Sequence, residues 1–283
     1  MMSNDKLSRR GFLAATAAAP LATALAANNS VPVGLELYSV RDALQKDPVG
    51  TVRAVGKMGY DGVEFFAPYF SWTPAQAQDM RKVLDDLGIR CFSTHNGAES
   101  FAPANLNKVV ELNGIIGSKY VVLAHPGRVQ TIDDYKKVAE MLTKGGEAFA
   151  PHGLKAGYHN HQLEWKAING TRPIEVLAAN TSKDVMLQLD VGTCIESGSD
   201  PVAWINQNPG RIHSIHCKDY SPEAGKGYKV LFGEGVSPWK KIFAAAEDRG
   251  GVEYYLIEQE GYSLPELETA QKCLAAFRNL RKS

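Results

Sequence analysis

The chain has 283 residues, 44% hydrophobic and 22% charged, enough for one large globular domain with a sizeable core. Lys plus Arg and Asp plus Glu both number 31, so there is no basic surplus to hold a nucleic-acid backbone. The four cysteines, Cys91, Cys194, Cys217 and Cys273, lack the spacing of a zinc ribbon or redox pair, and Cys91 and Cys217 fall in apolar runs that suit buried free thiols.

The N-terminal stretch does not read as part of the fold. Ser8-Arg9-Arg10-Gly11-Phe12-Leu13, an Ala-rich and weakly hydrophobic run, and Ala24-Leu25-Ala26 together form a twin-arginine export signal over residues 1–26, with a short leader at 27–32. The apolar run is too short to span a bilayer. The expected mature protein begins near Ala27 and works in the periplasm or outside the cell.

From Val33 to the C-terminus, short apolar runs alternate with longer amphipathic segments. Strand Val33–Leu37 precedes helix Asp47–Met58, Gly62–Phe66 precedes Pro74–Leu87, and Arg90–Thr94 precedes Ala104–Ile116. The rhythm continues with Lys119–Ala124 and Ile132–Phe149, then Leu154–Tyr158 and Arg172–Ala179, then Val185–Leu189 and Pro201–Asn206. It closes with Arg211–Ile215 and Pro238–Glu247, then Glu253–Ile257 and Leu264–Leu280. Gly59, Gly88, Gly117 and Gly153 stand just after helices, where a left-handed residue ends the turn. Repeated β-then-α units without a GxGxxG after the first strand predict an α/β fold, a (β/α)8 TIM barrel over residues 33–283, rather than a dinucleotide-binding sheet. The segment Ser221–Ser237, rich in glycine, reads as an excursion over the barrel mouth.

Several strands end on a metal-ligand type of side chain. In such barrels the C-terminal strand ends build the active site, and those positions carry Glu64, His95, His125, His159, His161, Asp190, His216, Lys218 and Glu258, with Glu36 on the first strand. Buried acids and imidazoles converging on one mouth need a common partner, because an unpaired buried charge costs several kcal/mol. A divalent cation held by His159, Asp190, His216 and Glu258 meets that need, and the mixed imidazole and carboxylate donors suit Mn²⁺, Zn²⁺, Co²⁺ or Fe²⁺ rather than Ca²⁺. The competing reading is a hydrogen-bonded polar cluster that closes the barrel without metal. Glu64 is expected to orient a substrate hydroxyl, and His95 and His125 either contact substrate or cap their strands. Phe66, Tyr158, Trp165 and Trp239 are candidate walls of a sugar pocket. Asp219 reads as the ion-pair partner of Lys218, while Gly233-Glu234-Gly235 is a candidate source of phosphate-binding amides.

Four ordered motifs carry a family resemblance. They are Tyr158-His159-Asn160-His161 with Glu164-Trp165, Gln188-Leu189-Asp190-Val191-Gly192, His216-Cys217-Lys218-Asp219, and Ile257-Glu258-Gln259. Together they resemble the sugar phosphate isomerase/epimerase family, which shares the xylose-isomerase-like barrel of the AP endonuclease 2 superfamily. The resemblance runs from Val33 to the C-terminus. It implies a single divalent metal, often Mn²⁺, with Zn²⁺, Co²⁺, Mg²⁺ or Fe²⁺ as alternatives. Many relatives carry Glu where this chain carries His159, so Glu164 is the alternative fourth ligand. His161 matches the general base of dehydratase relatives, and Lys218 faces the developing negative charge.

The chemistry implied is proton abstraction beside a carbonyl and a metal-stabilised enediolate, with His161, Glu258 and Lys218 as the catalytic set and Glu64, His95, His125 and Glu164 on the substrate. Imidazole titrates near neutrality, which suits the base. A keto-sugar isomerase or epimerase is the first expectation. The alternative is a lyase or hydratase of 3-keto-glycosides or keto-inositols, favoured by export because glycosides are common outside the cytoplasm. A non-catalytic sugar-binding barrel is the third reading. A nuclease on this barrel would need more strand-end ligands, and Thr193 and Asp219-Tyr220 leave those positions unfilled. The expected partner is a small carbohydrate, with no nucleic acid and no membrane span; the oligomeric state is not legible.

Overall fold

The computed structural model describes residues 31–282. The export signal expected before them lies outside the described residues. Eight parallel strands close into a barrel: β1 (Val33–Glu36), β2 (Gly62–Phe65), β3 (Arg90–Gly97), β4 (Tyr120–His125), β5 (Lys155–His159), β6 (Met186–Asp190), β7 (Ser214–Cys217) and β8 (Tyr254–Ile257). Closure is direct, since β1 pairs with β2 through Glu36–Glu64 and with β8 through Leu35–Ile257. Helices follow the strands, as expected for a TIM barrel. No helix among the described residues is long and apolar enough to cross a membrane.

Strand alternation decides what fills the barrel. Its lower end is an apolar plug of Phe92, Tyr120, Val122, Met186, Tyr254 and Leu256, with Phe92 and Tyr254 stacked at 4.9 Å. Glycines admit these side chains: a Cβ on Gly62 would lie 2.7 Å from the Phe92 ring, and one on Gly157 would lie 2.9 Å from Met186. One step higher the inward positions turn polar, as Gln188 and Asp190 follow Met186, and Glu258 follows Leu256. An apolar floor beneath a polar mouth is therefore built into the strand sequences.

The structure departs from the expected elements where polar residues mask a strand or helix. A short helix at Arg41–Lys46 precedes Pro48–Met58; it has no fully buried residue, so it leaves no apolar stripe to read. Strand β3 runs on past Thr94 to Gly97, because Asn96 is satisfied by the Thr94 carbonyl at 2.8 Å and by the Tyr69 hydroxyl, which donates at 2.6 Å. Strand β7 starts at Ser214 rather than Arg211, whose buried guanidinium donates to the Ala178 and Val185 carbonyls at 2.7 and 3.1 Å. Helix Trp239–Ala245 ends in a π-turn at Ala246–Gly250. All four cysteines are free and buried.

Candidate metal centre and pocket

The ends of β5 to β8 bring His159, Asp190, His216 and Glu258 together, with one potential ligand atom from each lying within 4.8 Å of the others. Each belongs to the inward row of its strand, and all are buried. His216 Nδ1 lies 2.6 Å from Glu258 Oε2, and His159 Nε2 lies 3.9 Å from Asp190 Oδ2.

The far nitrogen of each imidazole is already held. Glu64 Oε1 lies 2.8 Å from His216 Nε2, and Gln188 Oε1 lies 3.0 Å from His159 Nδ1. An acceptor behind the ring fixes the tautomer and leaves the opposite nitrogen to face the cluster, the usual arrangement behind a metal-bound histidine. Asp190 Oδ1 accepts from the Thr193 amide at 2.8 Å, whereas Oδ2 is buried with no hydrogen-bond partner. A carboxylate oxygen with no hydrogen bond, its nearest cation the Lys218 ammonium 3.7 Å away, beside two oriented imidazoles and a second carboxylate, fits a divalent cation.

The electrostatics show the same shortage of positive charge. Burial pushes His216 down, but Glu64 and Glu258 on its two nitrogens outweigh that and lift it to about 10. Burial and the neighbouring imidazoles His216 and His95 hold His159 well below the usual histidine range. Burial raises Asp190 even though Lys218 acts against it. Burial likewise opposes ionisation of Glu258, but Lys218 and His216 keep it well below the usual carboxylate range. Lys218 Nζ donates to Glu258 at 3.2 Å and also bonds Glu260. Burial opposes its charge, yet Glu258, Asp190 and Glu260 hold it well above the usual lysine range.

Above the cluster opens a cavity of about 320 Å³. Glu36, His95, His125, His159, His161, Lys218, Glu258 and Glu260 supply its polar lining, and Tyr38, Phe66 and Tyr228 supply aromatic faces. His161 sits at the lip, stacked on His125 at 5.8 Å and edge-on to His159 at 4.9 Å. Its backbone is anchored by an amide that donates to Glu164 Oε2 at 2.8 Å.

Several expected roles change. Glu64 does not line the cavity; it is fully buried behind the four-residue cluster, where it accepts from Ser93, from Gln188 at 2.9 Å and from the His216 side. Glu164 is neither at the metal cluster nor at the cavity, because the Tyr158 hydroxyl donates to it at 2.7 Å and the His161 amide holds its other oxygen. Of the proposed aromatic walls only Phe66 reaches the cavity; Tyr158, Trp165 and Trp239 are buried in the core.

Asp219 does not pair with Lys218. It accepts from the Gly233 and Gly235 amides at 2.9 and 3.1 Å, from Ser237 Oγ at 2.6 Å and from Trp239 Nε1 at 3.0 Å. The glycine amides read as a phosphate site are therefore consumed by Asp219. The loop so pinned carries Tyr228, whose ring faces the Lys218 ammonium at 4.6 Å. Gln188, Tyr38, Tyr228 and Glu260 join the site without being expected from the sequence. Only Gln188 had a legible signal: a polar residue in the inward row, one step below Asp190.

A closed parallel barrel with this cluster at its C-terminal mouth places the chain among TIM barrels, and the chain belongs to the xylose isomerase-like TIM barrel family, which matches residues 52–280. Over 144 residues it is 27% identical to the inosose dehydratase of Clostridium beijerinckii, a match covering 45% of this chain and 48% of that protein. The chain thus spans about half the length of that curated relative. Among solved structures it is similar to a sugar phosphate isomerase/epimerase from Parabacteroides distasonis, with a TM-score of 0.75, 25% identity, and coverage of 92% of this chain and 98% of that one. It shares its fold with the IolI protein, solved with a bound zinc atom, at a TM-score of 0.68, 17% identity, and coverage of 88% and 97%.

Proposed function

We propose that the protein is a divalent-metal-dependent carbohydrate enzyme that removes a proton beside a carbonyl to give an enediolate, with keto-sugar isomerisation or epimerisation as the outcome. The observation that supports this most is the pair His159 and His216, held from behind by Gln188 and Glu64 respectively, beside an Asp190 oxygen that has no hydrogen bond. A divalent ion held by His159, Asp190, His216 and Glu258, Mn²⁺ by preference, supplies Lewis-acid polarisation of the carbonyl and its neighbouring hydroxyl. His161, at the cavity lip and anchored through Glu164, takes the proton as general base. Lys218 presents its ammonium to the negative charge that develops on the oxygens. The aromatic faces of Tyr38, Phe66 and Tyr228 exclude water from the intermediate. Return of the proton to the adjacent carbon isomerises the sugar, and return to the opposite face epimerises it.

A lyase or dehydratase of 3-keto-glycosides or keto-inositols is the second reading, favoured by the similarity to an inosose dehydratase. His125 stacks on His161 at the mouth and offers a second imidazole to protonate a leaving group. We also propose export through the twin-arginine signal, which predicts loss of periplasmic accumulation when Arg9 and Arg10 become Lys.

The deciding experiment is NMR in D₂O of ketoses, 3-keto-glycosides and keto-inositols incubated with metal-loaded protein. Deuterium beside the carbonyl is expected, and the products separate isomerase from lyase. Binding without exchange on every substrate would overturn the proposal in favour of a sugar-binding barrel.

A further inference from the structure

On the Tyr38 and Phe66 side of the mouth lies a second cavity, of about 450 Å³. It exists because the short helix Arg41–Lys46 does not pack down on the turn Ala67–Ser71 that follows β2. None of the helix residues is fully buried. The helix is held instead at its first turn, where Glu266 accepts from the Asp42 and Ala43 amides at 3.1 Å. Leu44, Phe65, Phe66, Pro68, Tyr69 and Trp72 are left facing the gap. A concave surface built mainly of aromatic and aliphatic side chains is the usual form of a small-molecule site.

The walls are fixed in advance. Trp72 sits edge-on to Phe65 at 5.2 Å and to Tyr69 at 6.2 Å. The polar groups around the opening already have partners. The Tyr69 hydroxyl donates to Asn96 at 2.6 Å, and Ser71 Oγ donates to the Pro68 carbonyl at 2.8 Å. The Arg41 guanidinium donates to the Tyr38 carbonyl at 2.9 Å and lies 4.5 Å from the centre of the Tyr38 ring. Asp42 balances its charge, so the opening has no cationic surplus to hold a phosphate or carboxylate. A ring of hydroxyls would lose its hydration there without enough hydrogen bonds in exchange, whereas an apolar ring loses nothing.

Phe66 joins this cavity to the one above the His159, Asp190, His216 and Glu258 cluster: it lines both, and it meets Tyr38 edge-on at 5.4 Å. A substituent that crosses the Tyr38–Phe66 edge therefore passes from the first cavity into the second. We propose that the second cavity is an aglycone site, which takes the apolar, ring-shaped aglycone of a glycoside whose keto ring occupies the first. The inference rests on the carbonyl-adjacent chemistry proposed above and adds the class of substrate that undergoes it. A ring held at this distance also orients the reacting carbon over the cluster, so truncating it costs kcat as well as KM.

The test compares phenyl and methyl glucosides, each as the unreactive glycoside and as its 3-keto form, with the full metal-loaded protein. Calorimetry should show the phenyl glucoside binding about tenfold more tightly than the methyl one, the scale of an added apolar group in a fitted pocket. Deuterium exchange on the 3-keto forms should favour phenyl by a similar factor in kcat/KM. Trp72→Ala should remove both preferences while exchange on the methyl compound is kept. Gln45→Trp, at an exposed position on the rim, fills the cavity without touching its rings and should do the same if the alanine variant folds poorly. Equal handling of phenyl and methyl compounds, or a phenyl preference that survives both variants, overturns the aglycone site and leaves the proposed function standing. Exchange on ketoses or keto-inositols but on neither keto-glycoside has the same meaning. A phenyl preference in binding that the variants remove, with no exchange on any compound, overturns the proposed function and supports the site. Neither binding nor exchange overturns both.

Discussion

Glu64 and His216 meet across the barrel, Oε1 to Nε2 at 2.8 Å, with both side chains fully buried. Ser93 and Gln188 hold the other oxygen of Glu64, so its carboxylate is fixed before any ion arrives. Burial works against its charge, yet His95 and His216 hold it down at about 2. Glu64 is thus an anion in place to accept from Nε2–H and to turn Nδ1 of His216 towards Glu258.

Glu64→Gln tests that role. Glutamine keeps the size but offers one neutral acceptor, and its amide can turn the ring the wrong way. Outer-shell changes of this kind cost about 10–100-fold in metal affinity. Titration with Mn²⁺ should show a loss of that size while the fold, read by circular dichroism, is kept. An affinity equal to wild type would mean that His216 is oriented by something else.

His161→Ala separates the proposed base from the proposed metal site. The residue lines the cavity but is outside the four-ligand group, so metal content should stay at the wild-type level. Proton exchange should fall by about 10²–10⁴-fold, the range for removing a general base. Glu164→Gln, which weakens the 2.8 Å tether of the His161 amide without touching substrate, should cost less and act on kcat rather than KM. Unimpaired deuterium exchange in the alanine variant would assign proton abstraction to another group, with His125 the nearest candidate.

The spatial cluster is legible in the sequence because strands β5 to β8 are apolar runs that stop on a potential donor: His159, Asp190, His216, Glu258. Period-2 alternation fixes which neighbours share their face, and it puts Gln188 in the inward row. Residue type and position alone point to Glu64 and Glu164 as substrate contacts. Depth along a strand and the direction of a side chain after the strand ends decide what such a residue touches, and neither follows from spacing. The Arg41–Lys46 helix and the end of β3 were hidden for another reason: nothing in the first is fully buried, and Asn96 in the second is polar but satisfied by partners distant in sequence.

Asp219 governs the loop that roofs the pocket. Besides Gly233, Gly235, Ser237 and Trp239, it accepts from the Tyr220 amide at 2.9 Å, so one carboxylate gathers residues far apart along the chain. Asp219→Ala leaves those donors without a partner, at a cost of about 1–3 kcal/mol per buried group left unpaired. Denaturant unfolding should show a loss of that order. KM should rise with it, because Tyr228 sits on the loop and lines the cavity. Lost stability with an unchanged KM would show that the loop position is set by Gln259, whose side-chain amide donates to the Tyr228 carbonyl at 3.0 Å.

Glu253 offers the opposite dissociation, stability without activity. It precedes β8 at the closed end of the barrel, where Lys119 Nζ and the Tyr120 hydroxyl donate to it at 2.5 and 2.8 Å. Partial burial acts to raise it, but the hydrogen bonds from Lys119 and Tyr120 outweigh burial and leave it below the ordinary glutamate value of 4.5. A carboxylate with a depressed folded value contributes stability that is present above the unfolded value and lost as pH falls through the folded one. Wild type should therefore melt above Glu253→Gln at pH 7, and the gap should close as pH drops from about 4.5 into the range below it. Solvent screening at this partly exposed site keeps the gap to about 1 kcal/mol or less. Turnover at neutral pH should be unchanged, since the residue lies at the far end of the strands from His159 and Glu258 and the N-terminal face of such barrels serves stability. A melting difference that persists undiminished at low pH would show that glutamine disturbs packing around Tyr120 rather than removing a charge.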